Sequence, residues 1–397
     1  MIKNLIGYLS GNSLSQIILL LTIPLLVSLY SVENFGVFGV FGAYLAIFSQ
    51  INGLKFENTI ISNKRIRVSY YYASCIFISV IVSVTVFLIL IIYYDWMYTL
   101  LIVLSSFFAY IINTYQLYLV KIEKSILAGY ISVLRSVLLV LFQILFSDYK
   151  VTEINGLILG CFISLFVLSF PIIFWSIWLV SKIRFVLLLK MIKSNFEFVR
   201  YILPQTLINN ISVQMPVFFI ESIWGLHAVG IYTMALKIVQ VPSRFMSTVL
   251  RNLLTSAFSN ISSSISLCYS KAKSYTLYLA ILSFCFFSAL AIFIPFIIEV
   301  FLGDEWSDVV LISRCMLIWF SVSFINIPAF CLTMVYRKLK FILNFEIVSF
   351  IIRLALFFCF YLIPVEFYIG MLVISLSVAV LNFYFIFTVL CDRGKVF

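Results

Sequence analysis

The chain has 397 residues, 64% of them hydrophobic and only 10% charged, with a net charge of +11 and a mean hydropathy of +1.18. A soluble domain is about a quarter charged, so this composition excludes a water-soluble globule and makes the bilayer the chain's solvent. The single His227 excludes His-rich metal chemistry, and the 8 cysteines, scattered through apolar runs without CxxC spacing, read as small hydrophobes.

A spanning helix needs about 20 apolar residues whose backbone groups are satisfied within the segment. Twelve runs meet this requirement in chain order: 5–30, 34–52, 70–94, 97–120, 125–147, 155–180, 202–223, 229–251, 275–301, 309–334, 341–363 and 367–390. The first is long, lacks a small-residue cleavage pattern and flows into the second through Tyr30 to Gly36. It therefore reads as a retained helix and not a signal peptide. The connections are short and leave no room for a soluble catalytic domain. The longest divides the chain into an N-terminal lobe, 1–180, a basic cytoplasmic connection, 181–201, and a C-terminal lobe, 202–397, each lobe with six helices. Within that connection Lys182 to Lys193 reads equally as an interfacial amphipathic helix or a polybasic linker.

Charge sets the orientation. With the N-terminus in the cytoplasm, inner segments carry Lys3, Lys55, Lys64, Arg65, Arg67, Lys121, Lys124, the 182–200 cluster, Lys271, Lys273, Arg337, Lys338, Lys340, Arg393 and Lys395. Outer segments carry Lys150 alone among basic residues, beside Glu33, Asp95, Asp148, Glu153, Asp304, Glu305, Asp308 and Glu366. This alternation is the positive-inside pattern of an even number of spans with both termini cytoplasmic. Trp96, Trp224 and Trp306 fall at expected outer boundaries and Trp175 and Trp178 near an inner one, as interfacial aromatics do. The positive charge thus belongs to topology, and its division among many short loops excludes a nucleic-acid stripe. A weak internal echo supports two lobes: Gln16 and Pro24 precede Gly36, and Gln214 and Pro216 precede Gly230.

Four stretches then carry a family resemblance: Pro24 to Phe38, with Glu33 and Gly36; Gly53 to Ile60, with Lys55 and Glu57; Asn209 to Pro216 followed by Ala228 to Pro242; and Leu302-Gly303-Asp304-Glu305-Trp306. In this order the chain resembles the bacterial polysaccharide biosynthesis membrane proteins, the O-antigen, capsule and exopolysaccharide flippases of the multidrug/oligosaccharidyl-lipid/polysaccharide exporter superfamily. The resemblance implies an all-α polytopic membrane protein of the MATE-like type, twelve transmembrane helices in two six-helix lobes around a central cavity. It also implies a transporter without covalent chemistry, in the bacterial inner membrane, that moves undecaprenyl-diphosphate-linked oligosaccharide outward by alternating access. Other partners expected are membrane lipids and the polysaccharide polymerase and chain-length machinery, with the chain working as a monomer. No cofactor or metal is expected; proton or sodium coupling is.

Intramembrane charge is expensive unless it faces water, a counter-ion or a polar interior, so embedded basic residues are candidates for an anionic headgroup. They are Arg135, Lys237, Arg244, Arg251, Arg314 and Arg353. Lys237, Arg244 and Arg251 recur every seven residues, which on a helix returns to within roughly 20° of one face and rises roughly 10 Å per step. Such a rail suits a diphosphate, which Arg grips bidentately and Lys meets as a mobile point charge. Snorkelling to the inner headgroups is the competing account, strongest for Arg251 and weakest for Lys237, which lies deepest. Arg353 has Glu346 seven residues before it on the same face.

A sugar needs amides and hydroxyls in a wet cavity, and amides recur in or beside spans: Asn12, Gln16, Gln50, Asn52, Asn113, Gln116, Gln143, Gln205, Asn209, Asn210 and Gln214. Gln16 and the set Asn209, Asn210 and Gln214 are the preferred cavity group, with interhelical bonding as the alternative use. Coupling or gating candidates are Glu346, Glu57, Asp304 and Glu305, of which Glu346 is the best embedded. The competing functions are another multidrug or lipid exporter, which would need a dominant embedded acid, and an O-antigen polymerase, which would need a large outer loop. Neither feature is present.

Overall fold

A computed structural model of the chain describes residues 2–62, 68–151, 154–181, 193, 198–261 and 264–391. Residues 182–192 and 194–197 of the basic connection, and Lys64, Arg65, Arg67, Glu153, Arg393 and Lys395, lie outside the described residues. The helices are α1 Ile2–Leu21, α2 Ile23–Val27, α3 Val32–Ile51, α4 Asn58–Ser62, α5 Val68–Leu90, α6 Trp96–Lys121, α7 Ser125–Leu145 and α8 Gly156–Ser181. After one π-helical turn, Phe198–Ile202, come α9 Leu203–Asn260, α10 Ile265–Phe301, α11 Asp308–Ile325, α12 Ile327–Val335, α13 Leu339–Leu362 and α14 Phe367–Leu390. A two-residue hairpin, β1 Lys150–Val151 with β2 Ile154–Asn155, precedes α8.

Among the described residues 11 helices are long and apolar enough to cross a membrane, so the chain is a multi-pass membrane protein. One of them covers Thr206–Asn260, 55 residues, and takes in both the seventh and eighth expected spans. Gly225 divides it, with φ 83° and ψ 178°, a conformation outside the reach of L side chains although open space surrounds its Cα. Every expected span therefore has its helical counterpart.

Two expected single helices are broken. The first stops at Leu21 and resumes at Ile23, and the tenth stops at Ile325 and resumes at Ile327. In each case a proline, Pro24 or Pro328, occupies the first turn of the resumed helix, where its missing N–H costs least. A third departure is the expected inner loop between 251 and 275. It is helical over most of its length, because α9 runs on to Asn260 and α10 starts at Ile265. Hydropathy marks only the apolar part of a helix, and these Ser- and Lys-bearing ends are helical without being apolar.

The chain forms two compact units, Met1–Phe218 and Phe219–Phe397. In the first, α6 is the central helix: its spanning window is 67% buried, and α3, α4, α5, α7 and α8 all lie against it. In the second, α11 packs between α10 and α14, and α12 and α13 also meet α14.

Close crossings in the first unit depend on absent side chains. A Cβ on Gly11 of α1 would lie 2.4 Å from the Cα of Gly129 on α7, and one on Gly160 of α8 would lie 2.6 Å from the Gln143 backbone nitrogen of α7. Backbone cannot yield as a side-chain tip can, so these positions set the helix spacing. Gly11→Val should lower the melting temperature of the purified protein, at a cost of about 1–3 kcal/mol. Gly42→Ala, which would enter open space on α3, should leave it unchanged or slightly raised.

Candidate functional site

The cationic helix is the second segment of α9. Its backbone is helical from Leu226 to Asn260, so the seven-residue spacing of Lys237, Arg244 and Arg251 becomes a shared face spread over roughly 20 Å. Lys237 is half-buried, while Arg244 and Arg251 are exposed. Neighbours orient the two guanidiniums. With the Gln240 amide turned so that its oxygen faces Arg244, that oxygen accepts from Nε at 3.2 Å and Nη2 at 2.8 Å. Arg251 lies 4.8 Å from the ring centroid of Phe330 on α12, a cation–π arrangement that leaves its donors available.

Arg353, half-buried on α13, donates from Nε to the Ser349 carbonyl at 3.2 Å. It also lies within electrostatic reach of Glu346 on its own helix and of Tyr232 on α9. The second unit therefore brings Arg353 to the helix that bears Lys237, five residues before it, and places the half-buried Glu346 beside Arg353. Arg314 is exposed on α11 of the same unit. Arg135 belongs to the first unit, half-buried on α7 and facing Cys161 of α8.

The preferred polar group occupies the first segment of α9. Asn209 is exposed, and Asn210 and Gln214, one turn apart, are half-buried. The side chain of Gln205 lies outside the described residues. Gln16 is exposed on α1. Other amides act between helices. Gln116 of α6 donates to the Ala128 carbonyl at 3.0 Å and to Ser132 Oγ at 2.9 Å on α7, and Ser132 Oγ donates to Asn12 Oδ1 of α1 at 2.6 Å. Gln143 donates to the Leu157 carbonyl at 3.3 Å, and its own carbonyl accepts from Tyr30 Oη at 2.5 Å. Burial, with Asp148 nearby, pushes the Tyr30 phenol up to about 12, so it stays a neutral donor.

Asp304 and Glu305 are exposed in a 3-10 turn opened by Gly303 at φ 83°. Trp306, expected at an outer boundary, is only 1% exposed and packs its ring inside the second unit at that turn. Trp224 is also held internally, donating from Nε1 to the Val365 carbonyl at 2.7 Å, whereas Trp96 and Trp178 are exposed.

Glu57 is nearly enclosed at the end of the α3 connection, with Oε1 3.5 Å from Lys55 Nζ. Sequence reasoning ranked Glu346 above it because hydropathy places Glu57 at a boundary; its burial comes from the fold of 52–57, which no pattern reports. Among the described residues no group of three or more His, Cys, Asp and Glu side chains is placed to hold a metal ion.

The interhelical bonds separate the two uses of amides. Gln116→Leu should destabilise the protein by about 1–2 kcal/mol, because Ser132 and the Ala128 carbonyl lose their donor, while Gln16→Leu should leave the thermal unfolding midpoint unchanged.

The fold has solved counterparts. An inward-facing multidrug resistance MATE family transporter of the MOP superfamily matches with a TM-score of 0.68 at 15% identity over 98% of each chain. The lipid II flippase MurJ matches with a TM-score of 0.75 at 13% identity, over 98% of this chain and 87% of that one. A MOP superfamily transporter from Pyrococcus furiosus, described as having a binding pocket of reverse polarity, matches with a TM-score of 0.58 at 14% identity, over 99% and 95%. No curated protein matches by sequence. The family model described as Polysaccharide biosynthesis protein matches residues 25–311, and the chain belongs to that family.

Proposed function

We propose that the protein is a flippase that carries undecaprenyl-diphosphate-linked oligosaccharide repeat units from the cytoplasmic to the outer leaflet of the bacterial inner membrane, for O-antigen, capsule or exopolysaccharide synthesis. The observation that carries this reading is the single cationic face of α9, within a chain of the polysaccharide biosynthesis family that has a MOP-type transporter fold. A polyprenyl diphosphate presents two negative phosphates next to an apolar tail and a neutral or polar glycan. Its headgroup is the part that must be desolvated to cross.

Lys237 supplies a half-buried point charge for that headgroup. Arg244 and Arg251 offer forked donors at successive levels along the helix, so a phosphate leaving one can be met by the next. Arg353 adds a basic group beside α9, and Arg314 in the second unit and Arg135 in the first are further basic candidates for the headgroup. Asn209, Asn210 and Gln214 offer amides to the glycan. Both termini are cytoplasmic in this reading, which leaves Asp304 and Glu305 on the outer side.

The test is complementation of a deletion strain, with surface polymer and lipid-linked oligosaccharide measured together. Lys237→Gln at matched membrane expression should lose most surface polymer and accumulate undecaprenyl-diphosphate oligosaccharide, and Lys237→Arg should recover part of the export. Full surface polymer in the uncomplemented strain, with no second flippase, would sink the reading. Drug resistance that follows the protein while polymer stays constant would replace it with an exporter function.

A further inference from the structure

The first unit holds a buried polar site that the cationic helix does not use. Between α3 and α4 the chain turns tightly under Tyr110 of α6: a Cβ on Gly53 would lie 2.2 Å from Tyr110 Oη. The next two residues take left-handed backbone without being glycine, Leu54 at φ 47° and Lys55 at φ 60°. This turn directs Glu57 inward, leaving its side chain 12% exposed.

Oε1 of Glu57 is 3.5 Å from Lys55 Nζ, and Lys55 also donates to Gln50 Oε1 on α3. Among the described residues Oε2 is shielded from solvent and makes no well-formed hydrogen bond, and the same is true of Tyr110 Oη and Thr114 Oγ1 on α6, with Tyr110 the hydroxyl nearest the carboxyl. Tyr110 faces Glu57 on one side and Cys75 of α5 on the other. Among the described residues, the titratable groups around the carboxyl are Lys55 from the connection, Cys75 from α5 and Tyr110 from α6, and α3 adds the neutral Gln50. Burial raises the Glu57 carboxyl above the usual range, and the nearby Lys55 only partly offsets this.

The carboxylate charge is offset at Oε1 by Lys55, but burial still disfavours it at Oε2. A proton on Oε2 removes the remaining charge and turns that oxygen into a donor, and the neighbouring Tyr110 hydroxyl, which can donate to the carboxylate, can equally accept from the acid. Sodium suits the site poorly, because the Lys55 ammonium already sits on the same carboxylate and a thiol is a soft ligand for a hard cation.

We propose that Glu57 is a proton-binding site of the first unit, and that proton uptake releases Lys55 from its ion pair and frees the turn at 53–57 to leave its left-handed conformation. Its role in transport rests on the flippase reading; the site itself does not. The proton goes to Oε2, the carboxylate becomes a neutral acid bonded to Tyr110, and Lys55 keeps only its neutral partner Gln50 at the end of the span formed by α3.

Infrared difference spectra of the full chain in lipid nanodiscs, taken across a pH titration, read protonated carboxyls directly and need no transport. Expected is a carboxyl band that titrates above the ordinary carboxylate range and is lost in Glu57→Gln. Lys55→Met should raise its midpoint by about one pH unit, because removing a neighbouring cation favours the neutral acid. A band that survives Glu57→Gln, or a midpoint that falls or stays fixed in Lys55→Met, overturns the proposal. Monodisperse elution of each variant establishes folding. In the complementation strain, Glu57→Gln should make polymer export independent of medium pH over the range where the wild type responds. Retention of the wild-type pH response would overturn the transport role while leaving the proton site standing.

Discussion

Everything in this molecule depends on one constraint: a backbone N–H or C=O in hydrocarbon must find its partner inside its own helix. The chain obeys it along each span and departs from it only where a specific residue makes the departure cheap. Pro24 and Pro328 open helix breaks at positions where the missing donor was unsatisfied anyway. Gly225 and Gly303 supply the positive φ that lets helix α9 break and α10 end. The other left-handed residues, Leu54, Lys55, Glu123 and Arg337, carry side chains and pay in conformational strain, and each stands at the end of a span.

Two of these turns are copies of one another. At the end of α6, Lys124 N donates to the Leu119 carbonyl at 2.8 Å and Glu123 N to that of Val120 at 3.1 Å. At the end of α12, Lys338 N donates to the Thr333 carbonyl at 2.9 Å and Arg337 N to that of Met334 at 3.1 Å. Both are Schellman caps whose left-handed residue is charged, at φ 65° and φ 55°, followed by a lysine that begins the next helix. They stand at matching places in the two halves, before the fifth and the eleventh expected spans. A cap of this kind satisfies the last carbonyls of one helix and launches the next without a loop, and the chain uses it at both of these junctions.

The spans and their order were legible because hydropathy acts locally, whereas the breaks before Pro24 and Pro328 fall inside runs that hydropathy reads as single helices. Gly225 was not read as a break within one continuous helical run, since a lone glycine among apolar residues carries no signal that it will adopt φ 83°. The polar ends of α9 and α10 escaped because hydropathy reports apolarity and not helicity. Asn12, Gln116 and Ser132 could not be joined from sequence, being far apart in the chain and close only where Gly11 lets α1 reach α7. At the candidate site the face shared by Lys237, Arg244 and Arg251 needs only an unbroken helix. The meeting of Arg353 with Tyr232 needs α13 to pack on α9, and the enclosure of Glu57 needs a turn that no local rule favours.

The two kinds of charge differ for a physical reason. On α9 the cations ride the continuous helix after Gly225, and Gln240 and Phe330 orient Arg244 and Arg251 without neutralising them, since an amide oxygen and an aromatic face attract a guanidinium but carry no net charge. Positive potential is thereby kept available for an anion that comes and goes. Glu57 stands on strained backbone, tied to Lys55, so its charge is coupled to the shape of the turn. A rigid helix that spaces its cations on one face is suited to holding a headgroup, and a strained turn with an ion-paired carboxyl is suited to changing conformation when one proton arrives.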